Sequence, residues 1–309
     1  MYGLSLFQDL RRAVPAILTN QVARLAPGLY IRLTHETGRG GGEESVEDIA
    51  SYFETCFADY FRVLEIETGQ VPAWLKGKRV LEYGPGDVPA VALLMLAHGA
   101  EEVISADRFA LVSLSEKNVA VQRRVIERLP GPARARAEAC FRKAGEPASG
   151  FREECLRYIV QPNGLSGLRE SVDLVISRAV LEHVNDLFAT FADVHAALRA
   201  NGIAVQQVDL RSHGLHRSNP LDFLTWPDWL WSLMYSGKGV PNRWRVDRYR
   251  RDLAEQALQV LRLTPTTLAE PRDVAAVRPY LAEQFRVLSD EDLSWLGFWL
   301  VCRRRDGPR

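Results

Sequence analysis

The segment Glu82-Tyr83-Gly84-Pro85-Gly86 ends an apolar run in an acid, then alternates glycine with other residues before a new apolar run begins. This is the pattern of a buried parallel strand turning tightly into a helix. Such a turn offers bare backbone to a ligand, because glycine has no Cβ and tolerates φ > 0. About twenty residues on, Ile104-Ser105-Ala106-Asp107 ends a second apolar segment in a carboxylate, a spacing suited to gripping the ribose hydroxyls of a nucleoside. The dinucleotide fingerprint needs a third glycine where Pro89 stands, and no Gly-Lys-Ser/Thr ending of a phosphate loop follows the turn. Glu82 beside the turn disfavours a polyanion. Glu82 and Asp107 together favour a positively charged amino-acid nucleoside.

Groups able to move a proton near neutral pH are scarce, since the chain has six histidines. His183 follows a β-branched run, Val172 to Ser177, through Arg178-Ala179-Val180-Leu181-Glu182. His213 and His216 lie in Asp209-Leu210-Arg211-Ser212-His213-Gly214-Leu215-His216, beyond another strand-like run. His213 reads as a substrate contact or base, with an ordinary surface-loop histidine as the alternative. Asp209, His213 and His216 have the chemistry to hold a divalent ion on a diol, but HxxH is a poor metal signature and no metal is assigned.

In order along the chain, the acid-glycine turn, the strand running into Leu181-Glu182-His183, and Ala197 to Gly202 opening into Ile203 to Asp209 resemble the class I S-adenosylmethionine-dependent methyltransferases. The resemblance covers roughly residues 78 to 210 and reads Gly202 as a helix cap. It departs at Val88, where relatives carry a third glycine. It implies a Rossmann-like, doubly wound α/β fold with seven strands in the order 3-2-1-4-5-7-6, strand 7 antiparallel. It implies S-adenosylmethionine as cofactor, held by Glu82, Tyr83, Gly84, Pro85, Gly86 and Asp107. Arg108 is expected on the adenine, and Gln161 where relatives place an acid for the adenine amine. Ser177, Arg178 and Tyr30 complete that set. Catalytic candidates are His213, His183 and Asp209. A fainter resemblance of Asn219 to Thr225 and Gly239 to Arg245 to bacterial polysaccharide-cluster and secondary-metabolite methyltransferases points to O-methylation of a sugar or hydroxylated metabolite. N- or C-methylation, or a catalytically silent cofactor-binding partner subunit, are the alternatives.

These residues need a scaffold, and the chain between 73 and 309 supplies strand and helix patterns in alternation, the signature of a parallel sheet with helices on both faces. Residues 1–72 carry amphipathic helical patterns, the first interrupted by Pro15, and are expected to lie over the cofactor domain as a lid. Tyr30, Arg32, His35 and the glycine run from Gly38 to Gly42 are candidates for its closing edge. Residues 129–153 read as a surface excursion. Residues 210–245, rich in tryptophan, form a cap whose Phe223, Trp226, Trp229, Trp231 and Tyr235 are either its core or a stacking platform for the acceptor.

Lys and Arg balance Asp and Glu at 39 each, so no global basic field draws nucleic acid. Four cysteines without CxxC spacing suggest reduced thiols, not a disulfide frame or zinc site. No apolar stretch is long enough to span a bilayer and no signal peptide pattern opens the chain. The expected partner is a small-molecule acceptor, in the cytoplasm, with neither nucleic acid nor membrane and with a homodimer left open.

Overall fold

Short apolar runs bounded by glycine and acid form the strands of one sheet. β1 (Arg79–Tyr83), β2 (Glu102–Asp107), β3 (Leu156–Val160), β4 (Val172–Arg178), β5 (Leu198–Asp209), β6 (Leu258–Leu268) and β7 (Trp295–Arg304) stand in the order 3-2-1-4-5-7-6. β1 to β5 pair in parallel, and β7 runs antiparallel to both β5 and β6. The order is the one the resemblance implied. Strand order reverses between β1 and β4, so a crevice opens beyond their carboxyl ends, where ligands bind in such sheets. This computed structural model describes residues 6–34, 38–39, 42–235, 237 and 241–305.

The helices are α1 (Leu6–Leu25), α2 (Pro27–Thr34), α3 (Val46–Val63), α4 (Val71–Leu75), α5 (Ala90–Ala97), α6 (Glu116–Arg128), α7 (Gly131–Ala139), α8 (Leu187–Ala197), α9 (Asp228–Tyr235), α10 (Val246–Glu255), α11 (Pro271–Val277) and α12 (Asp290–Ser294). α3 to α7 cover one sheet face around Phe53, Phe57, Tyr60, Leu93, Val125 and Phe141. α8 and α10 cover the other around Phe191, Val194, Tyr249 and Phe298. α5 is buried along its whole length, which explains its unbroken apolar sequence. Among the described residues no helix is long and apolar enough to cross a membrane.

The first seventy residues divide instead of forming one lid. α3, started by Ser45, whose hydroxyl accepts from the Asp48 N–H at 3.1 Å, packs into the sheet's own helical layer. α1 joins the cap: Ala13 and Ala16 are buried against it, and the Asn20 side-chain amide donates to the Leu233 carbonyl at 2.9 Å. Pro15 lies inside α1 without ending it, and the segment after Pro27 is helical. The Arg32 side chain, His35, Gly40 and Gly41 lie outside the described residues.

The cap is a third apolar cluster. Phe223, Trp226 and Trp231 are buried in it, Tyr235 packs at its edge, and Trp229 is exposed, so the aromatics are mainly its core and not a platform. Trp231 Nε1 donates to the Pro241 carbonyl at 2.8 Å, and the buried Arg243 guanidinium donates to the Phe223 and Trp226 carbonyls and pairs with Asp228.

Local expectations were corrected in several places. α8 stops at Ala197, and Asn201, not Gly202, takes the left-handed conformation at φ 64°. Gly202 is needed for close approach, because a Cβ there would lie 2.9 Å from Leu198 Cδ2 and 3.0 Å from the Arg199 carbonyl oxygen. The excursion at 129–153 contains α7. Val88 is fully buried in the core cluster beneath the turn. Its side chain therefore points away from the crevice, and the missing third glycine costs the site no room.

Candidate functional site

A cavity of about 370 Å³ opens at the carboxyl ends of β1, β2 and β4. Its floor is the turn after β1, where Gly84 and Gly86 adopt φ of 64° and 68°. At Gly84 a Cβ would come within 2.4 Å of Val180 Cγ2, so the turn is pressed against the segment after β4 and only glycine fits.

Asp107 ends β2 and lines the cavity, with one carboxylate oxygen accepting the Phe109 N–H at 3.0 Å. Burial raises its pKa, and backbone hydrogen bonds from Phe109 and Arg108 partly offset this. Arg108 also lines the cavity, its guanidinium 5.1 Å from the Phe109 ring centroid, with its pKa lowered by burial. Tyr30 reaches the same wall from α2, its ring 6.5 Å from that of Phe109. An aromatic and guanidinium wall thus stands beside an acid, a combination able to take a flat base and its ribose.

Glu82 faces a second, smaller pocket of about 140 Å³, shared with Tyr83, Pro85, Arg178 and residues of α3. Burial pushes the Glu82 carboxyl up to about 7, a weak hydrogen bond from Ser105 Oγ at 3.3 Å opposes the shift, and Asp107 adds to it. Between pH 4.5 and about 7 the folded carboxyl keeps a proton that the unfolded chain has released, so stability falls as pH rises through that window. Glu82→Gln should therefore match the parent at pH 4.5 and be more stable at pH 8, by on the order of 3 kcal/mol at most. Denaturant titrations at the two pH values measure this. Equal stability at pH 8 would show that Glu82 is already solvated.

The remaining expected cofactor residues are placed unevenly. Tyr83 lines both pockets, and its hydroxyl bonds the buried Asp193. Arg178 borders the smaller pocket and is held by Asp59 of α3 at 2.9 Å. Ser177 is fully buried within the sheet, bonded to the Gln206 side chain at 3.3 Å, and is not part of either lining. The Gln161 backbone N–H donates to the Asp107 carbonyl, but Asn163 and Gly164 supply the cavity wall there, a register slip of two to three residues. Tyr52, Cys56 and Tyr60 were missed: their helical spacing on α3 signals core, and nothing in it reveals that this face also borders a pocket.

On another side of the cavity stands His183, in a short 3-10 turn after β4. His213, from the loop after β5, meets it edge to face with ring centroids 4.9 Å apart. His213 sits at φ 49°, a strained conformation for a residue with a Cβ. Its Nε2 lies 3.7 Å from Asp209, whose carboxylate also takes the Arg211 guanidinium at 2.9 and 3.0 Å. Burial lowers the pKa of His213, and Asp209 opposes the shift. Burial would raise Asp209, but its hydrogen bonds from Arg211 outweigh this and hold it below its ordinary value. His216 turns aside to Ser212, 2.6 Å from its Nδ1. The ligand set gathered among the described residues is accordingly Glu182, His183 and His213, not Asp209, His213 and His216.

A family described as methyltransferase domain matches residues 50–263, more than half of the chain. Among solved structures the chain is similar to an S-adenosylmethionine-dependent methyltransferase of Mesorhizobium loti, at 20% identity and TM-score 0.40, covering 74% of this chain and 92% of that one. It is also similar to a putative S-adenosylmethionine-dependent methyltransferase of Listeria monocytogenes, at 13% identity and TM-score 0.42, covering 75% and 93%. A third is a Haemonchus contortus phosphoethanolamine N-methyltransferase in complex with phosphomonomethylethanolamine and S-adenosylhomocysteine, at 14% identity and TM-score 0.41, covering 75% and 50%. No curated protein matches. The matched segment carries the glycine turn, Asp107 and the His183 turn on one continuous scaffold, and the chain belongs to the methyltransferase-domain family, an enzyme with S-adenosylmethionine as its cofactor.

Proposed function

We propose that the enzyme methylates a hydroxyl oxygen of a small molecule, a sugar or a hydroxylated metabolite, in the cytoplasm. When bound, S-adenosylmethionine supplies a methyl group on a sulfonium, so that an attacking lone pair takes the carbon and the carbon–sulfur pair stays on sulfur as a neutral thioether. The chain's residues fit that cofactor: bare backbone at Gly84 and Gly86, the Asp107 carboxylate, and the Tyr30–Phe109–Arg108 wall all border one cavity within the usual ligand-site range. Asp107 is assigned to the ribose hydroxyls, Arg108 and Tyr30 to the base, and Glu82 with Tyr83, Pro85 and Arg178 to the cationic amino-acid end. Ser177 and Gln161 support the wall without lining it.

The observation that carries the oxygen reading is the imidazole pair at the cavity's edge, His183 in its wall and His213 against it, with Asp209 behind. A neutral amine needs no proton removed before it attacks, whereas a hydroxyl does. His183 and His213 engage the acceptor's oxygen and promote the loss of its proton, and Asp209 sets the position of His213. Tyr30 of α2 lines the same cavity, and four buried cysteines without disulfides accord with a reducing compartment. Incubation with methyl-labelled donor and a panel of sugars, phenols and amines tests the reading: label recovered as an ether methyl supports it, and label found only on nitrogen or carbon overturns it. His213→Ala should lower kcat by about tenfold to a hundredfold and leave S-adenosylhomocysteine affinity unchanged. Loss of affinity without loss of kcat would move His213 to the cofactor side.

A further inference from the structure

We propose that Glu182, His183 and His213 form a binding site for a divalent ion of the zinc class, through which the enzyme holds its acceptor's oxygen. One ligand atom from each of the three lies within 4.8 Å of the other two. Ligands around a tetrahedral ion stand about 3.4 Å apart, so side-chain rotation of roughly an ångström closes the set.

Glu182 gives the second, independent observation. It is 1% exposed, and neither of its carboxylate oxygens has a hydrogen-bond partner. The N–H groups of Glu182 and Asp209 approach it without hydrogen-bond geometry, and His183 Nε2 stands 3.9 Å away. A buried carboxyl either stays neutral or is met by something cationic, and with both oxygens unsatisfied it forfeits the hydrogen bonds it makes in water. The orphaned group is next to a histidine of the cavity wall and not in the distant core.

Two imidazoles and one carboxylate favour a borderline transition ion over magnesium or calcium, which take oxygen ligands. Three protein ligands leave a coordination position open, as catalytic sites do. Asp209, 3.7 Å from His213 Nε2, is placed to orient that ligand from behind. The strained backbone at His213 has a purpose in this arrangement, since it turns the ring towards His183 instead of towards solvent. An acceptor hydroxyl on the open position loses its proton to solvent more readily, because the ion's charge stabilises the alkoxide.

The inference rests on the oxygen-acceptor reading only for the ion's use, not for its binding. Protein freed of metal with a chelator and titrated calorimetrically with zinc chloride should bind one equivalent at micromolar concentration or below, and magnesium chloride should give no comparable heat. His213→Ala, on a partly exposed loop where folding is not at stake, should weaken zinc by at least about tenfold, and Glu182→Gln should do the same. Cobalt(II) in place of zinc should give ligand-field bands without a thiolate charge-transfer band. No stoichiometric zinc binding, binding undiminished in both variants, or a thiolate band would each overturn the site. A His213-dependent ether product made at full rate in chelator would overturn the ion alone. Zinc binding lost in His213→Ala, with no ether product from any acceptor, would keep the ion and overturn the oxygen reading.

Discussion

Asp107→Ala should abolish measurable S-adenosylhomocysteine binding in calorimetry and leave the unliganded protein at least as stable as its parent. The carboxylate ends β2 in the cavity wall, and burial raises its pKa, so ionising it in the empty site is unfavourable. One of its oxygens accepts the Phe109 N–H. The Arg108 N–H also approaches the carboxylate, and its remaining hydrogen-bonding capacity faces the cavity. Two hydrogen bonds from ribose hydroxyls to a charged acceptor are worth about 1.5–3 kcal/mol each, so their loss lowers affinity by roughly a hundredfold to a thousandfold or more. Removing a partly desolvated charge that has few protein partners costs the fold little. Asp107→Asn should fall between, since an amide keeps one acceptor and turns a donor towards donors. A thermal melt separates the two effects: a large fall in melting temperature with Asp107→Ala would mean that the acid holds the turn together. Unchanged affinity would remove it from the cofactor site altogether.

How much of this was legible in the chain follows from the range of the interactions. The turn at Glu82 to Gly86 and the acid at Asp107 were readable because their roles are local: backbone conformation sets the glycines, and a strand end sets the acid. The sheet order came with the resemblance and not from periodicity, which carries no record of which strand lies beside which. The loop after β3 has no period to fix its register, and the cavity is lined there by Asn163, two residues beyond Gln161. Ser177 lies outside both linings for a different reason. Alternation along β4 turns it into the sheet's interior, although its neighbour Arg178 reaches the smaller pocket. Amphipathic helices declare that they have an apolar face, but not against what. α3 turned out to pack on the sheet and α1 on the cap. The His183–His213 contact joins loops after β4 and β5 that are thirty residues apart, and its existence depends on one residue's backbone angle that no sequence pattern states.

Arg245→Met should destabilise the protein by about 3–5 kcal/mol and disable the acceptor side of the site before the sheet melts. The Arg245 side chain is among the largest fully buried groups, and its guanidinium donates to the carbonyls of Leu210, Leu293 and Trp295. Burial lowers its pKa to about 10, which leaves it charged at neutral pH. Where a buried arginine pairs with a carboxylate, replacing both by apolar groups is often harmless. Here the partners are main-chain carbonyls, which no substitution removes, so methionine fills the volume and leaves three acceptors without donors. Two of those carbonyls belong to the start of β7 and to α12 just before it. The third follows Asp209 directly, at the root of the loop that carries His213. Arg245 therefore joins the last strand to the loop that presents the imidazole, and losing it frees that loop more than it loosens the sheet. Urea titration measures the first effect, and kcat well below the melting transition measures the second, with cofactor affinity as the control because Gly84, Gly86 and Asp107 stand on other strands. Arg245→Lys should restore part of the stability, as an ammonium supplies donors but cannot span all three carbonyls in one plane. A variant that loses stability but keeps kcat would show that His213 is positioned by Asp209 and its own backbone alone.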